Sequence, residues 1–313
     1  MASSAFASLI GQSQAIELLT RAIECDRIAP AYLFFGPEGV GRKLAAKAFL
    51  EALLLASNSS SCHRHQENHP DILWVAPTYL HQGKAVSAAE LTQKGIALPK
   101  ARPQVRLDQV RDITRFLSQT PLESPRLLVV IEEAQTMGES AANGLLKTLE
   151  EPGEGTLILI APSIDALLPT IVSRCQRIPF RGLSNHDLRQ VLQHLGQDSL
   201  LNHAPLLQMA QGSPGLALQY WEKLQSIPSG LINACHSVPQ TPLACLELAR
   251  QVEKNLDIET QLWLLNYLQQ HYWTMGHSAG IKLFEQAKTY LTNYVQPQLV
   301  WEVTLLNLNA TPT

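Results

Sequence analysis

At 313 residues the chain is long enough for two or three domains, each with its own core. Hydrophobic residues make up 45% and charged residues 16%, the balance of a soluble globular protein. A net charge of −3 excludes a protein that coats nucleic acid by bulk charge, while leaving room for a local basic patch. The five cysteines, Cys25, Cys62, Cys175, Cys235 and Cys245, are scattered, which points to a reducing compartment rather than a disulfide framework. The start of the chain lacks a basic segment followed by an apolar core, and no apolar run reaches membrane-spanning length. A cytoplasmic protein without a membrane partner is expected.

Leu9-Ile10-Gly11-Gln12 precedes a helical run in which Ile16, Leu19 and Ile23 share one face. Pro30 ends it, and Ala31-Tyr32-Leu33-Phe34-Phe35 reads as a strand. Next comes Gly36-Pro37-Glu38-Gly39-Val40-Gly41-Arg42-Lys43, opening a helix-like run from Leu44 to Leu55. Strand, glycine-rich loop and helix is the setting in which a phosphate-binding loop works. Glycines let the backbone wrap an anion, and the helix N-terminus offers it unpaired N–H groups. The pattern asks for Gly, four residues, then Gly-Lys-Ser/Thr. Gly36 and Gly41 fit, with Gly39 between them, but Arg42 stands where the Lys belongs and Lys43 where the hydroxyl belongs. Arg42 keeps the positive charge in a larger planar fork. Lys43 cannot ligate a cation and would repel one. Shifting the register so that Lys43 is the phosphate lysine leaves Leu44 at the metal position. Two readings stand, an ATP pocket and a retained turn without nucleotide, and the second is preferred.

Asn58 to Ser61 is a loop signal. Cys62, His63, His65 and His69 then fall within eight residues, and zinc accepts both Cys and His. Only Cys62 to His65 has a metal-type spacing, so a solvated polar loop is the better reading. No metal is expected, with Cys62 and His65 the candidates if one binds. Ile72 to Val75 reads as a buried strand. Pro77 to Pro103 reads as an irregular surface insertion. Lys94, Lys100, Arg102, Arg106, Arg111 and Arg115 make it and the helix Leu107 to Ser118 locally basic. That patch could face DNA phosphates. Asp108 and Asp112 can equally neutralise Arg111 and Arg115 at i+3.

Leu127 to Ile131 is an apolar strand followed by Glu132-Glu133. A strand ending in Asp-Glu would supply a Mg²⁺ carboxylate and then a base that positions water. Glu132, one methylene longer, replaces the Asp, and Glu133 holds the base position. A helix from Ser140 to Glu150, a strand from Thr156 to Ile160 and a short strand at Ile178 to Phe180 follow. Five short, fully apolar strands alternating with helices predict an α/β unit with a parallel sheet covered on both faces. Beyond Arg181-Gly182 the pattern is helical. Leu183 to about Trp221 forms one small unit. From Glu222 to Leu308 runs a second, with stripes such as Leu262, Leu265, Tyr267 and Leu268.

Two further stretches carry a resemblance. Asn143-Gly144-Leu145-Leu146-Lys147-Thr148-Leu149-Glu150-Glu151-Pro152 and Leu168-Pro169-Thr170-Ile171-Val172-Ser173-Arg174-Cys175, in that order after the loop and the acidic pair, resemble the clamp-loader branch of the AAA+ ATPases. The resemblance runs from Leu9 to about Leu218. It continues more weakly to the C-terminus, where Tyr294-Val295-Gln296-Pro297-Gln298-Leu299 is similar to the final turn of that family's collar. Within that family the chain looks most like the δ′ subunits of bacterial DNA polymerase III clamp loaders; His69-Pro70-Asp71 after a short polar insert is typical of δ′ and of the related ATPase subunit alike.

The resemblance implies a five-stranded AAA+ P-loop domain over residues 1–182, a small helical lid over 183–221 and an all-α collar for oligomerisation over 222–313. It implies a hetero-pentamer with δ and the ATP-hydrolysing γ/τ subunits. The sliding β-clamp and primed DNA would be reached through that complex. Arg174 falls at the arginine finger that reaches a neighbour's γ-phosphate. Gly212-Ser213-Pro214-Gly215-Leu216-Ala217-Leu218 resembles the second-sensor segment, with Gly215 in place of an Arg. Ala161-Pro162-Ser163 falls where a Thr or Asn sensor is usual. Metal hydroxyl, metal Asp and second-sensor Arg are thus all absent, which favours a subunit that does not hydrolyse ATP. Gly36, Gly39, Gly41, Arg42, Lys43 and Glu132 would then form a degenerate nucleotide pocket and Glu133 a vestigial base. No cofactor is firmly expected, and ATP bound without hydrolysis stays open. DNA-directed DNA polymerase (nucleotidyltransferase) activity would belong to the holoenzyme, since this chain offers no polymerase metal-carboxylate site. The rivals are an active γ/τ-type ATPase and a non-replicative P-loop binding module.

Overall fold

The computed structural model describes residues 5–56, 69–99, 101–151, 153–237, 241–276 and 278–310. The chain divides into two units, Met1–Asp187 and Leu188–Thr313. The strands of the first are β1 (Ala31–Phe35), β2 (Ile72–Val75), a hairpin of β3 (Tyr79–His81) and β4 (Lys84–Val86), then β5 (Leu127–Ile131), β6 (Gly155–Ala161) and β7 (Gln176–Pro179). Five of them form one sheet in the order β2-β5-β6-β1-β7, with every pair parallel. In β5 and β6 every residue is buried, which is why both read as unbroken apolar runs.

The helices of this unit are α1 (Ser13–Glu24), α2 (Arg42–Ala56), α3 (Ala88–Gln93), α4 (Leu107–Leu117), α5 (Glu139–Glu150) and α6 (Pro169–Val172). The helix α7 (Asn185–His194) spans the boundary between the units. One core packs Leu33, Val129, Ile131, Leu157 and Leu159 of the sheet with Val110 and Ile113 of α4 and Leu145 and Leu149 of α5. Alternate strand residues point the other way. There Tyr32 meets Phe49 of α2 edge-on, with ring centroids 5.1 Å apart, and Phe34 meets Phe180 at 5.4 Å. Helix α4 carries the i+3 pairs that its sequence predicts, Arg111–Asp108 at 2.9 Å and Arg115–Asp112 at 3.1 Å.

The stretch 77–103 differs from the irregular insertion that its polarity predicts. Tyr79–His81 and Lys84–Val86 pair antiparallel across Gln82 and Gly83, which take left-handed φ of 50° and 76°. Ser87 then caps α3 by accepting from the Glu90 N–H at 3.2 Å. Neither short strand buries a residue, so no hydrophobic alternation announces them. Cys62, His63 and His65 lie outside the described residues.

His69, Pro70 and Asp71 fold as a staple. Asp71 is buried, and its carboxylate accepts N–H bonds from Leu122 (2.8 Å), Glu123 (2.7 Å) and Ser124 (2.7 Å). Its own N–H donates to His69 Nδ1 at 3.1 Å.

The second unit is helical throughout its described residues: α8 (Ala204–Met209), α9 (Pro214–Ser226), α10 (Ser229–His236), α11 (Pro242–Asn255), α12 (Ile258–Thr274), α13 (Ser278–Thr292) and α14 (Pro297–Ala310). Three of these helices start on side-chain caps, with Ser213, Thr241 and Asp257 accepting from the N–H three residues on. Leu265, Tyr267 and Leu268 are core, and Leu262 is half-buried. The indole of buried Trp301 donates to Gln261 Oε1 at 2.9 Å. No helix among the described residues is long and apolar enough to cross a membrane.

One cluster makes this unit pH-sensitive. His236 stacks on His271 with centroids 4.1 Å apart and shares a 3.0 Å hydrogen bond with the Tyr267 hydroxyl. Burial, helped by the charges His271 and His203 would carry, pushes His236 down to about 4. Burial also lowers His271 and His203. A histidine whose folded pKa lies below its unfolded value near 6.5 stabilises the fold fully above pH 6.5. That contribution is lost as the pH falls toward the folded value. The unit is expected to lose about 2 kcal/mol between pH 6.5 and 4, after discounting for a half-exposed ring. Urea unfolding of the chain at stepped pH, followed by tryptophan fluorescence, checks this.

Candidate functional site

The loop between β1 and α2 keeps the phosphate-loop frame. Gly36, Gly39 and Gly41 take φ of 151°, 71° and 103°, values that side-chain-bearing residues rarely adopt. Gly36 also has a packing reason: a Cβ there would lie 2.2 Å from the Phe180 carbonyl oxygen. Gln12 holds the loop from the side. Its Nε2 donates to the carbonyls of Val40 (3.2 Å) and Arg181 (2.7 Å), and its Oε1 accepts from the Arg181 N–H at 3.2 Å.

The two cations of the loop both have protein partners, although the Lys43 side chain stays 60% exposed. Arg42 donates from Nη1 to the carbonyl of Ala161 at the end of β6. Burial lowers its pKa, while the carboxylates of Glu38 and Glu133 oppose that shift. Lys43, in the first turn of α2, forms an ion pair with Glu132 Oε2. The other oxygen, Glu132 Oε1, accepts the Trp74 indole N–H at 2.5 Å. Lys47, one helical turn along α2, places its ammonium 5.7 Å from the centroid of the Trp74 ring. The carboxylate that ends β5 is therefore engaged on both oxygens, by an ammonium and by an indole. A divalent cation there would have to displace Lys43 and then sit beside its charge. Among the described residues no group of three or more His, Cys, Asp or Glu side chains is placed to hold a metal.

Glu133 is exposed in a left-handed conformation (φ 45°), and its carbonyl accepts from the Thr136 N–H and hydroxyl. Ser163 is exposed at the head of a short 3-10 turn, Ile164–Ala166. Gly215 lies in the first turn of α9, in the second unit. Arg174 follows α6. It donates from Nη1 to the Thr170 carbonyl at 2.9 Å and from Nη2 to Glu150 Oε1 at 2.6 Å. The neighbouring Cys175 is buried, and its thiol is pushed up to about 12, so it is inert.

Sequence reasoning singled out the loop, the acidic pair and Arg174 as candidates. It missed Trp74, whose signal was a lone indole N–H in an otherwise aliphatic strand. It also missed the hold that Gln12 has on the loop.

Comparison with known proteins agrees with this architecture. Residues 11–184 match the family model described as DNA polymerase III, delta subunit. Residues 186–308 match the model described as cyanobacterial DNA polymerase III delta prime, C-terminal domain. DNA polymerase III subunit delta′ of Bacillus subtilis (strain 168) is 35% identical over 181 residues, covering 55% of this chain and 48% of that protein. The delta′ subunit of Pseudomonas aeruginosa is 33% identical over 198 residues, covering 59% of this chain and 54% of that protein. The chain thus spans about half the length of the curated relatives it matches. A solved DNA polymerase III gamma subunit-related protein of Thermotoga maritima superposes with a TM-score of 0.54 at 17% identity, over 95% of this chain and 99% of that one, and so shares the fold. With one family model over more than half of the sequence and a second over most of the rest, the first over the five-stranded parallel sheet and the second over the helical C-terminal unit, the chain belongs to the δ′ family of DNA polymerase III clamp-loader subunits.

Proposed function

We propose that this chain is a non-hydrolysing clamp-loader subunit that supplies Arg174 to the nucleotide of a neighbouring ATPase. The observation that carries the reading is the closed Lys43–Glu132–Trp74 arrangement. An ammonium occupies the position where the loop pattern calls for a metal-binding hydroxyl, and the strand-end carboxylate is already spent on it. Arg42, the only other cation of the loop, is committed to the Ala161 carbonyl. Arg174 lies outside the loop and keeps its side chain 36% exposed. A guanidinium so placed can spread over charge developing on a transferring phosphoryl group.

Within this reading the partners are the ATP-hydrolysing γ/τ subunits and δ, in a hetero-pentamer that opens the sliding β-clamp and closes it on primed DNA. Residues 1–182 form the P-loop-like domain, 183–221 a lid and 222–313 the collar through which the subunits associate.

Equilibrium ATP binding to the purified chain with Mg²⁺, alongside hydrolysis, tests the reading. No saturable binding is expected up to about 1 mM, which means less than about 4 kcal/mol of affinity. Binding without turnover would give nucleotide a structural role and restore Arg42 as a phosphate ligand. Turnover by the isolated chain would overturn the reading and promote Glu133 to catalytic base.

A further inference from the structure

We propose that Glu150 is a positioning residue for Arg174, holding the guanidinium at the surface in one orientation with part of its fork left for a phosphate. The proposal rests on the finger reading above and extends it by one residue.

Glu150 is the last residue of α5, and Arg174 follows α6. The guanidinium is held from both: Glu150 Oε1 takes Nη2 at 2.6 Å and the Thr170 carbonyl takes Nη1 at 2.9 Å. A guanidinium has five N–H donors, so two bonds leave the Nε–H and one N–H on each terminal nitrogen. The side chain is 36% exposed and that of Glu150 is 52% exposed, so a second chain can reach the pair. Both supports are themselves fixed. Leu145 and Leu149 anchor α5 in the core, and Thr148 shares a 3.0 Å hydroxyl bond with Thr114 of α4. Ile171 and Val172 are buried, and the Arg174 N–H bonds to the Ile171 carbonyl at 3.1 Å.

An unrestrained arginine samples many rotamers, and engaging a phosphate must order them. A carboxylate that accepts one arm of the fork does that ordering before the nucleotide arrives. Charge in place before the reaction lowers its barrier, whereas charge that must be gathered during it helps less. An ion pair this exposed adds little to folding, so its loss belongs in the kinetics rather than the melting curve.

The test uses the reconstituted clamp-loader complex carrying this chain as wild type, Glu150→Ala, Glu150→Gln, Arg174→Ala and the Glu150→Ala/Arg174→Ala double variant. Glu150→Ala is expected to lower DNA-stimulated kcat at the adjacent site about three- to tenfold, with KM for ATP and the melting temperature of the chain unchanged. Glu150→Gln keeps a neutral acceptor and is expected to recover most of the rate. In the Arg174→Ala background, Glu150→Ala should cost nothing more, because the two residues act as one. A wild-type or faster rate for Glu150→Ala, beside a slowed Arg174→Ala, overturns the positioning role alone. So do independent losses in the double variant. An unchanged rate for Arg174→Ala in an assembled complex overturns the finger reading, and the role of Glu150 with it.

Discussion

Asp71→Ala is expected to lower the stability of the N-terminal unit by about 3 kcal/mol, among the largest effects of any polar substitution here. The buried Asp71 carboxylate collects the N–H groups of Leu122, Glu123 and Ser124 at 2.7–2.8 Å. Alanine would leave these part-buried donors without their charged acceptor, and hydrogen bonds to a charged group contribute about 1.5–3 kcal/mol. The loop they belong to leads into β5, and the Asp71 carbonyl also accepts from the Leu128 N–H at 2.9 Å. Loosening the staple therefore frees the pairing of β2 with β5. Asp71→Asn keeps one acceptor oxygen but turns an amide N–H toward the same donors, and should cost roughly half as much. Denaturant unfolding of the three chains decides it, and equal midpoints would refute the staple.

The same residue sets an acid limit. Burial resists the Asp71 charge, but the bonds from Leu122, Glu123 and Ser124 outweigh it, and the pKa lies below the usual 3.8. Its contribution is complete above the unfolded carboxylate value and is lost as the pH falls through the lower folded one.

Under the proposed finger role, Arg174→Ala is expected to slow hydrolysis at a neighbouring ATPase site by about tenfold to a hundredfold, while assembly survives. The reason is electrostatic. A phosphoryl transition state spreads charge over its equatorial oxygens, and a planar fork matches that charge better than water does. Arg174→Lys should not restore the rate, because a point charge lacks the fork. Arg174 is bonded to Glu150 and to one backbone carbonyl, so its removal leaves the α5–α6 packing untouched. The measurement is DNA-stimulated turnover of the reconstituted complex, with assembly checked by gel filtration. Full turnover in an assembled variant would remove Arg174 from the mechanism.

The centre of the sheet was legible because β5 and β6 are buried on both faces, whereas edge strand β7 exposes Gln176 and Arg177. Leu127–Ile131 and Gly155–Ala161 have no exposed position, so burial is written into every residue. The β3–β4 hairpin was illegible for the converse reason. It turns on Gln82-Gly83 rather than the usual Asn-Gly or Asp-Gly, and its strands rest on no core. In the site, Arg42, Lys43 and Glu132 were found as departures from a pattern, but not what they do instead. The partners of Lys43 and Glu132 are set by how β2 and β5 lie beside α2, and a list of spacings does not contain that contact. Glu150 and Arg174 appeared in two separate matching segments, and only packing of α5 on α6 joins them.

The glycines of the loop and the two residues after Gly41 carry separate information. The carbonyl of Phe180 excludes any side chain at position 36, whether or not an anion ever arrives. A scan that scores glycine spacing therefore registers how a strand exit packs, and would count this pocket among nucleotide sites. Two other questions discriminate better: what stands at positions 42 and 43, and whether the acid at the strand end already has a resident counter-ion. Put to each member of a multi-subunit motor, they sort the drivers from the passengers before any nucleotide is added.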